Sequence, residues 1–217
     1  MSLFEMTRRR PQTLPEEIAN SAVQGLGFVA ILAAFPTLLA TAIRSGHPRA
    51  PEGVSVFAGT LALLYLFSAV HHALPRNRAK RVFQRLDQSA IFLCIAGTYT
   101  PFAAGSLRNA SDWTVFYAIW GMAVLGIVFR SFQGFRGTHL TTLLYLAMGC
   151  SALVALGLFP GRVPLHGLLW LLAGIMAYAV GILFFIAHHL RFRHMIWHLC
   201  ALIGSACHFL GVFWYAC

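Results

Sequence analysis

Residues 54–75 read VSVFAGTLALLYLFSAVHHALP, a run without a single Asp, Glu, Lys or Arg. An α-helix rises about 1.5 Å per residue, so a run of this length spans the roughly 30 Å hydrocarbon core of a bilayer. Six further stretches of the same kind lie on either side of it, at 21–43, 88–107, 113–129, 137–161, 163–190 and 194–217. They predict an all-α, polytopic membrane protein: a seven-transmembrane bundle over 21–217 behind a polar cytoplasmic segment, 1–20. The composition agrees, with 59% of residues hydrophobic and only 10% charged, where soluble domains run at about 25% charged. A soluble domain built from this chain would expose large apolar patches, and a disordered chain or coiled coil is excluded as well. The first twenty residues hold no apolar core followed by a small-residue cleavage site, so no secretory signal peptide is expected. Gly97 and Pro101 inside the third run predict close packing or a kink.

Orientation follows from the basic residues of the connecting loops. Of the 16 Lys and Arg, one side of the membrane would carry Arg8, Arg9, Arg10, Arg76, Arg78, Lys80, Arg81, Arg85, Arg130, Arg136, Arg191 and Arg193. The other would carry Arg44, Arg49, Arg108 and Arg162. The N-terminus is therefore placed in the cytoplasm and the C-terminus outside, in a multi-pass bacterial inner-membrane protein. The formal net charge of +10 belongs to that inner surface and to anionic head groups, and nucleic acid is not expected as a partner. Lys80 is the only lysine and lies in a loop, which leaves no amine inside the bundle for a retinal Schiff base. Four of the five cysteines sit within apolar runs and none forms a CxxC pair, so they read as buried thiols.

This topology brings a set of polar residues to one depth. His72 ends the second run at the cytoplasmic face, and Ser68 lies one turn deeper on the same side of that helix. Asp87 opens the third run, and His194 and His198, spaced i, i+4, open the seventh. A catalytic zinc commonly takes three protein ligands and keeps a fourth position for water. His72, His194 and His198 fit that ligand set, with Asp87 to hydrogen-bond the water or accept its proton. Against this stands the plainer reading of a solvated interfacial HxxxH pair, which the matched depth of His72 and Asp87 outweighs. His71 competes with His72, since neighbours on a helix point about 100° apart; the spacing to Ser68 favours His72. His188 and His189 read as solvated, and His208, about 15 Å beyond His198 along the helix, is too deep to join them.

The same residues carry a resemblance. Ser68-Ala-Val-His71-His72 resembles the S-x-x-x-H motif of the hemolysin III proteins, which belong with the progestin and adipoQ receptor family. Asp87 followed by Ala96-Gly-Thr-Tyr-Thr-Pro101 resembles that family's D…AGTYTP segment. His194-Met-Ile-Trp-His198 with His208 resembles its H-x-x-W-H motif, and Glu16-Glu-Ile-Ala-Asn20 its N-terminal motif. The match spans nearly the whole chain, with two departures: Gln24 stands where the family's T-H-G-x-G has histidine, and His71 where it usually has tyrosine before the second-span histidine. The resemblance implies seven helices, a cytoplasmic N-terminus, zinc on His72, His194 and His198, and catalytic or supporting roles for Asp87 and Ser68. It also implies ceramidase-like hydrolysis of lipid amides, with substrate entering from the bilayer. Asp87 would then be the general base, and Ser68 would bond the developing oxyanion. The rival expectation is a non-catalytic, receptor-like regulator of membrane lipid state built around a structural zinc. A transporter or pore would call for paired short spans and a midplane charge, and neither is evident.

Overall fold

The computed structural model describes residues 12–104, 110–132, 138–157, 163–187 and 189–216. They form seven helices: α1 (Leu14–Arg44), α2 (Ala50–Ala73), α3 (Arg78–Ala104), α4 (Ala110–Phe132), α5 (Thr138–Gly157), α6 (Leu165–Ile186) and α7 (Arg193–Tyr215). Among the described residues there is no strand. Each apolar run has become one helix. Five of them, α1, α2, α4, α6 and α7, are long and apolar enough to cross a membrane. In α3 the apolar part is shortened because Arg78, Lys80, Arg81, Arg85 and Asp87 occupy the first turns, and α5 offers only the apolar segment Leu140–Ser151. Arg8, Arg9, Arg10, Arg108, Arg136, Arg162, His188 and Cys217 lie outside the described residues.

The distribution of side chains is inverted relative to a soluble protein. Leu26, Val29, Leu125, Leu143, Leu183 and Ile203 are more than half exposed, while Asn20, Gln24, Ser68, His72, His198, Ser205 and His208 are buried. Apolar residues turned outward cost nothing in lipid, whereas a polar group there would lose its hydrogen bonds. Polar groups therefore collect inside. The interior also holds an apolar cluster around Phe57, Leu61, Phe92, Tyr99 and Val212.

Two helix starts differ from the runs read in the sequence. α1 begins at Leu14, well before residue 21, because Thr13 and Glu16 form a capping box: the Thr13 N–H and hydroxyl both donate to Glu16 Oε2, at 2.9 Å each. Such a box satisfies donors that a helix start leaves open. At 31 residues, α1 is about 46 Å long and its ends reach beyond a bilayer core. α3 likewise starts at Arg78, where Lys80 N–H bonds Asn77 Oδ1 at 2.9 Å. The sequence places Arg130 in a loop; the structure puts it in the last turn of α4, buried, with its guanidinium donating to Gln88 Oε1.

Small residues let the helices close on one another. A Cβ on Gly97 would stand 2.0 Å from Thr60 Oγ1, so α2 and α3 pack as tightly as they do only because position 97 has none. The α6–α7 pair shows the same device: a Cβ on Gly174 would meet the His208 ring at 2.3 Å and Gly204 O at 2.8 Å. α3 continues through Pro101, against which Gly53 of α2 is seated, with 3.0 Å between its ideal Cβ and Pro101 Cα. Close backbone approach through small residues is the usual mode of helix association in lipid.

Candidate metal centre

The last turn of α2 and the first turns of α7 meet at the end of the bundle that also carries the basic Arg76–Arg85 segment. There the imidazoles of His72, His194 and His198 converge. Their ring centroids are 5.0 Å (His72–His194), 5.0 Å (His72–His198) and 4.4 Å (His194–His198) apart. One ring nitrogen from each lies within 4.8 Å of the others. The i, i+4 spacing puts His194 and His198 on one face of α7, and the left-handed turn at Phe192 (φ 55°) sets where that helix begins. A bulky residue seldom adopts this conformation. Its N–H is held by Glu16 Oε1 at 3.0 Å, so α1 fixes the entry to α7.

Two of the nitrogens stand at the spacing of ligands on a tetrahedral ion. His198 Nε2 and His72 Nε2 face each other at 3.1 Å. Two ligands on zinc with bonds of 2.0–2.1 Å stand about 3.3 Å apart at the tetrahedral angle. The far nitrogens are also occupied. His72 Nδ1 pairs with Glu17 Oε2 at 2.7 Å, and Asn20 Nδ2 lies 3.5 Å away. His198 Nδ1 lies against the Gln24 side-chain amide. As placed, the Gln24 nitrogen faces the ring while its Oε1 is buried without a partner. Amide oxygen and nitrogen are assigned by their bonding, and exchanging them lets Oε1 accept from His198 Nδ1–H. Metal-binding histidines characteristically have the outer N–H held in this way, which turns the other nitrogen toward the ion.

Asp87 belongs to a second grouping, with His71 and His72. The His71 ring lies 4.7 Å from that of His72, with its Nδ1 3.2 Å from Lys80 O. Ser68 is fully buried, with its hydroxyl against the Asp87 carboxyl. The structure thus brings all five sequence-predicted residues to one end of the bundle. Two other described histidines stay out of both groupings. His189 is exposed, and His208 places Nε2 3.1 Å from Leu171 O.

Glu17, Gln24 and Asn20 were not among the residues picked out as part of the site. They recur at i, i+3 and i+7 along α1, a polar stripe on one face of an apolar helix, and that spacing is the signal that could have found them. Glu17 also binds Lys80 Nζ at 3.0 Å, and Lys80 Nζ donates to Leu74 O at 3.1 Å. The chain's one lysine therefore ties the α2–α3 connection to α1.

A cavity of about 220 Å³ leads inward from this centre. Asp87, His194 and His198 line one end, Tyr65, Ser205 and His208 the other, and the wall between is largely apolar, with Ile91, Ile182 and Trp197 among its residues.

An all-helical, multi-pass membrane protein with a buried histidine cluster able to hold a metal ion is the class that fold and site define. Residues 12–209 match the family described as Haemolysin-III related. The chain is 39% identical over 213 residues to Hemolysin-3 of Bacillus cereus, covering 98% of this chain and 97% of the relative. It is 34% identical over 203 residues to a Hemolysin-3 homolog of Bacillus subtilis (strain 168), covering 94% and 95%. The protein belongs to the hemolysin III family and is a multi-pass bacterial membrane protein. No solved structure matches the chain.

Proposed function

We propose that this protein is a zinc-dependent hydrolase of lipid amides, working at the cytoplasmic face of a seven-transmembrane bundle whose C-terminus lies outside. The observation that carries the reading is three converging histidines beside a carboxyl–hydroxyl pair, with His194, His198 and Asp87 lining an apolar cavity. The orientation rests on the basic residues, most of which gather at the end of the chain's topology where the histidines lie.

His72, His194 and His198 would hold the ion, and Glu17 and Gln24 would fix two of those rings from behind. Bound zinc supplies Lewis-acid stabilisation of negative charge developing on a carbonyl oxygen. The cavity takes the acyl chain and excludes water from it. Asp87 lines the same cavity, accepts the proton of the attacking water and returns it to the leaving amine. Ser68 Oγ, which lies against the Asp87 carboxyl, would donate to the oxyanion.

The test is turnover of long-chain lipid amides by purified, zinc-loaded protein, with and without chelator. Chelator-sensitive release of fatty acid is expected. Absence of turnover on any lipid amide or ester by fully loaded protein would overturn the reading. A second reading has its own support: Asp87 groups closely with His71 and His72, so a carboxylate ligand could close the site and make the metal structural, in a non-catalytic regulator of membrane lipids. Loss of metal from Asp87→Asn would favour it.

A further inference from the structure

The inner end of the cavity carries polar groups that hydrolysis at the histidines does not use. Tyr65 is 2% exposed, and its buried hydroxyl lies beside that of Ser205. It faces Ser205 and Tyr178, whose own hydroxyls meet at 2.8 Å. All three line the cavity. Buried hydroxyls are costly in an apolar interior unless their bonding capacity is filled, and three of them together give an otherwise apolar cavity wall one polar spot.

The depth of this cluster is set by the helices. Tyr65 precedes His72 by seven residues and Ser205 follows His198 by seven. Each is therefore two turns, about 10.5 Å, inward from its histidine. Two helices running in opposite directions place a hydroxyl at the same level, and α6 brings Tyr178 to meet it. A zigzag alkyl chain of bonds near 1.5 Å advances about 1.25 Å per bond. The hydroxyl cluster thus stands some eight bonds from a carbonyl held at the histidines.

We infer that the inner end of the cavity is a subsite for a hydroxyl group near the middle of a long acyl chain, and that the ligand is a mid-chain hydroxylated acyl lipid. A ligand hydroxyl both donates and accepts, as does each wall hydroxyl, so it can complete Tyr65 while the Tyr178–Ser205 bond persists. An unsubstituted chain leaves the three hydroxyls with only one another as partners. The inference rests on the cavity being an acyl site, as proposed above.

The experiment is displacement of a fluorescent fatty acid from purified protein in detergent. The competitors are stearic acid, stearic acid hydroxylated at mid-chain, and stearic acid hydroxylated beside the carboxyl. The mid-chain hydroxy acid should bind about tenfold more tightly than the other two, the scale of one or two added hydrogen bonds. Tyr65→Phe keeps the ring and Ser205→Ala keeps the helix. Tyr65→Phe should abolish the preference at an unchanged thermal midpoint, whereas Ser205→Ala, which also takes the partner from the Tyr178 hydroxyl, should weaken the preference and lower the midpoint. Equal binding of the three acids by the unmodified protein, or a preference that survives Tyr65→Phe, would overturn the subsite and leave water as its occupant. Failure of all acids to displace the probe, or of the probe to bind, would instead remove the acyl-cavity reading and this subsite with it.

Discussion

Replacing Glu17 by Gln should weaken zinc binding about tenfold without unfolding the protein. The carboxylate accepts from His72 Nδ1 at 2.7 Å, and a hydrogen bond to a charged group contributes about 1.5–3 kcal/mol. Glu17 is 18% exposed, so part of that is lost to solvent screening. Gln retains an acceptor oxygen at the same place, which keeps part of the remainder. What is lost is then near 1.4 kcal/mol, or one decade in affinity, the lower end of the 10–100-fold range seen when the outer partner of a metal-binding histidine is removed. Glu17→Ala removes the acceptor altogether and should move toward the upper end.

The assay is competition for zinc against a chromophoric chelator in detergent, with the visible spectrum of cobalt-loaded protein as a report on ligand geometry. Glu17 also pairs with Lys80, so Lys80→Met is the control: it breaks the ion pair and leaves the contact with His72. Its zinc affinity should stay within about threefold of the parent, the span of a surface pair. If Glu17→Gln binds zinc as tightly as the parent, or no more weakly than Lys80→Met, Glu17 does not orient His72 and the outer-partner argument fails.

Four further outcomes follow from the same geometry. His194→Ala and His198→Ala should each lower zinc occupancy sharply by metal analysis, whereas His208→Ala, whose ring is held at Leu171 O, should not; stoichiometric zinc in both of the first two would remove the site. Asp87→Asn should keep zinc and lose about 10²-fold or more of any hydrolytic rate, the scale of a general base, and loss of the metal would make Asp87 a ligand. Gly97→Ala should lower thermal stability by about 1–3 kcal/mol, the cost of overpacking, with partial recovery on adding Thr60→Ala; an unchanged melt would show that α2 and α3 can part freely. A reporter fused after Cys217 should be accessible from outside the cell, and a cytoplasmic signal would move the centre to the opposite leaflet.

What the sequence made legible tracks how local each signal is. The seven apolar runs are direct readouts of solvent preference, and each became a helix. The first and third helices start earlier than their runs, because a helix ends where its caps are and not where its hydropathy falls. Thr13-Leu-Pro-Glu16 is a capping box, legible in the chain before residue 21. The grouping of His72, His194 and His198 needs only the direction of each helix and the depth of each residue. The contribution of α1 needs its rotation about its own axis, which a nearly uniform apolar helix hardly encodes. So Glu17 and Gln24, legible as part of a motif and as a departure from one, had no place at the histidines, although Glu17, Asn20 and Gln24 share one face. Arg130 was misread for a related reason: a charge after an apolar run looks like a loop, yet Gln88 of α3 lies in reach to bind it.

Gln24 shows why that outer layer matters to the chemistry. Where the resembling family carries histidine, this chain has an amide, and the amide meets the ring of His198. With its oxygen toward Nδ1 it accepts a proton from His198, as Glu17 accepts from His72. One partner is neutral and the other anionic, so the two rings should not be equally basic. A carboxylate behind an imidazole raises the basicity of the nitrogen in front, and an amide does so less. His72 is thereby the stronger donor and His198 the weaker, and the difference is set entirely from α1. An ion held by three neutral imidazoles keeps more of its positive charge than one held by a carboxylate, and withdraws more from a carbonyl oxygen placed against it. Gln24 preserves that condition at His198, and a carboxylate at the same position would dull it. The departure from the family's pattern is therefore compatible with an electrophilic centre, because the residue changed lies behind the ligands and still supplies the one acceptor that His198 requires.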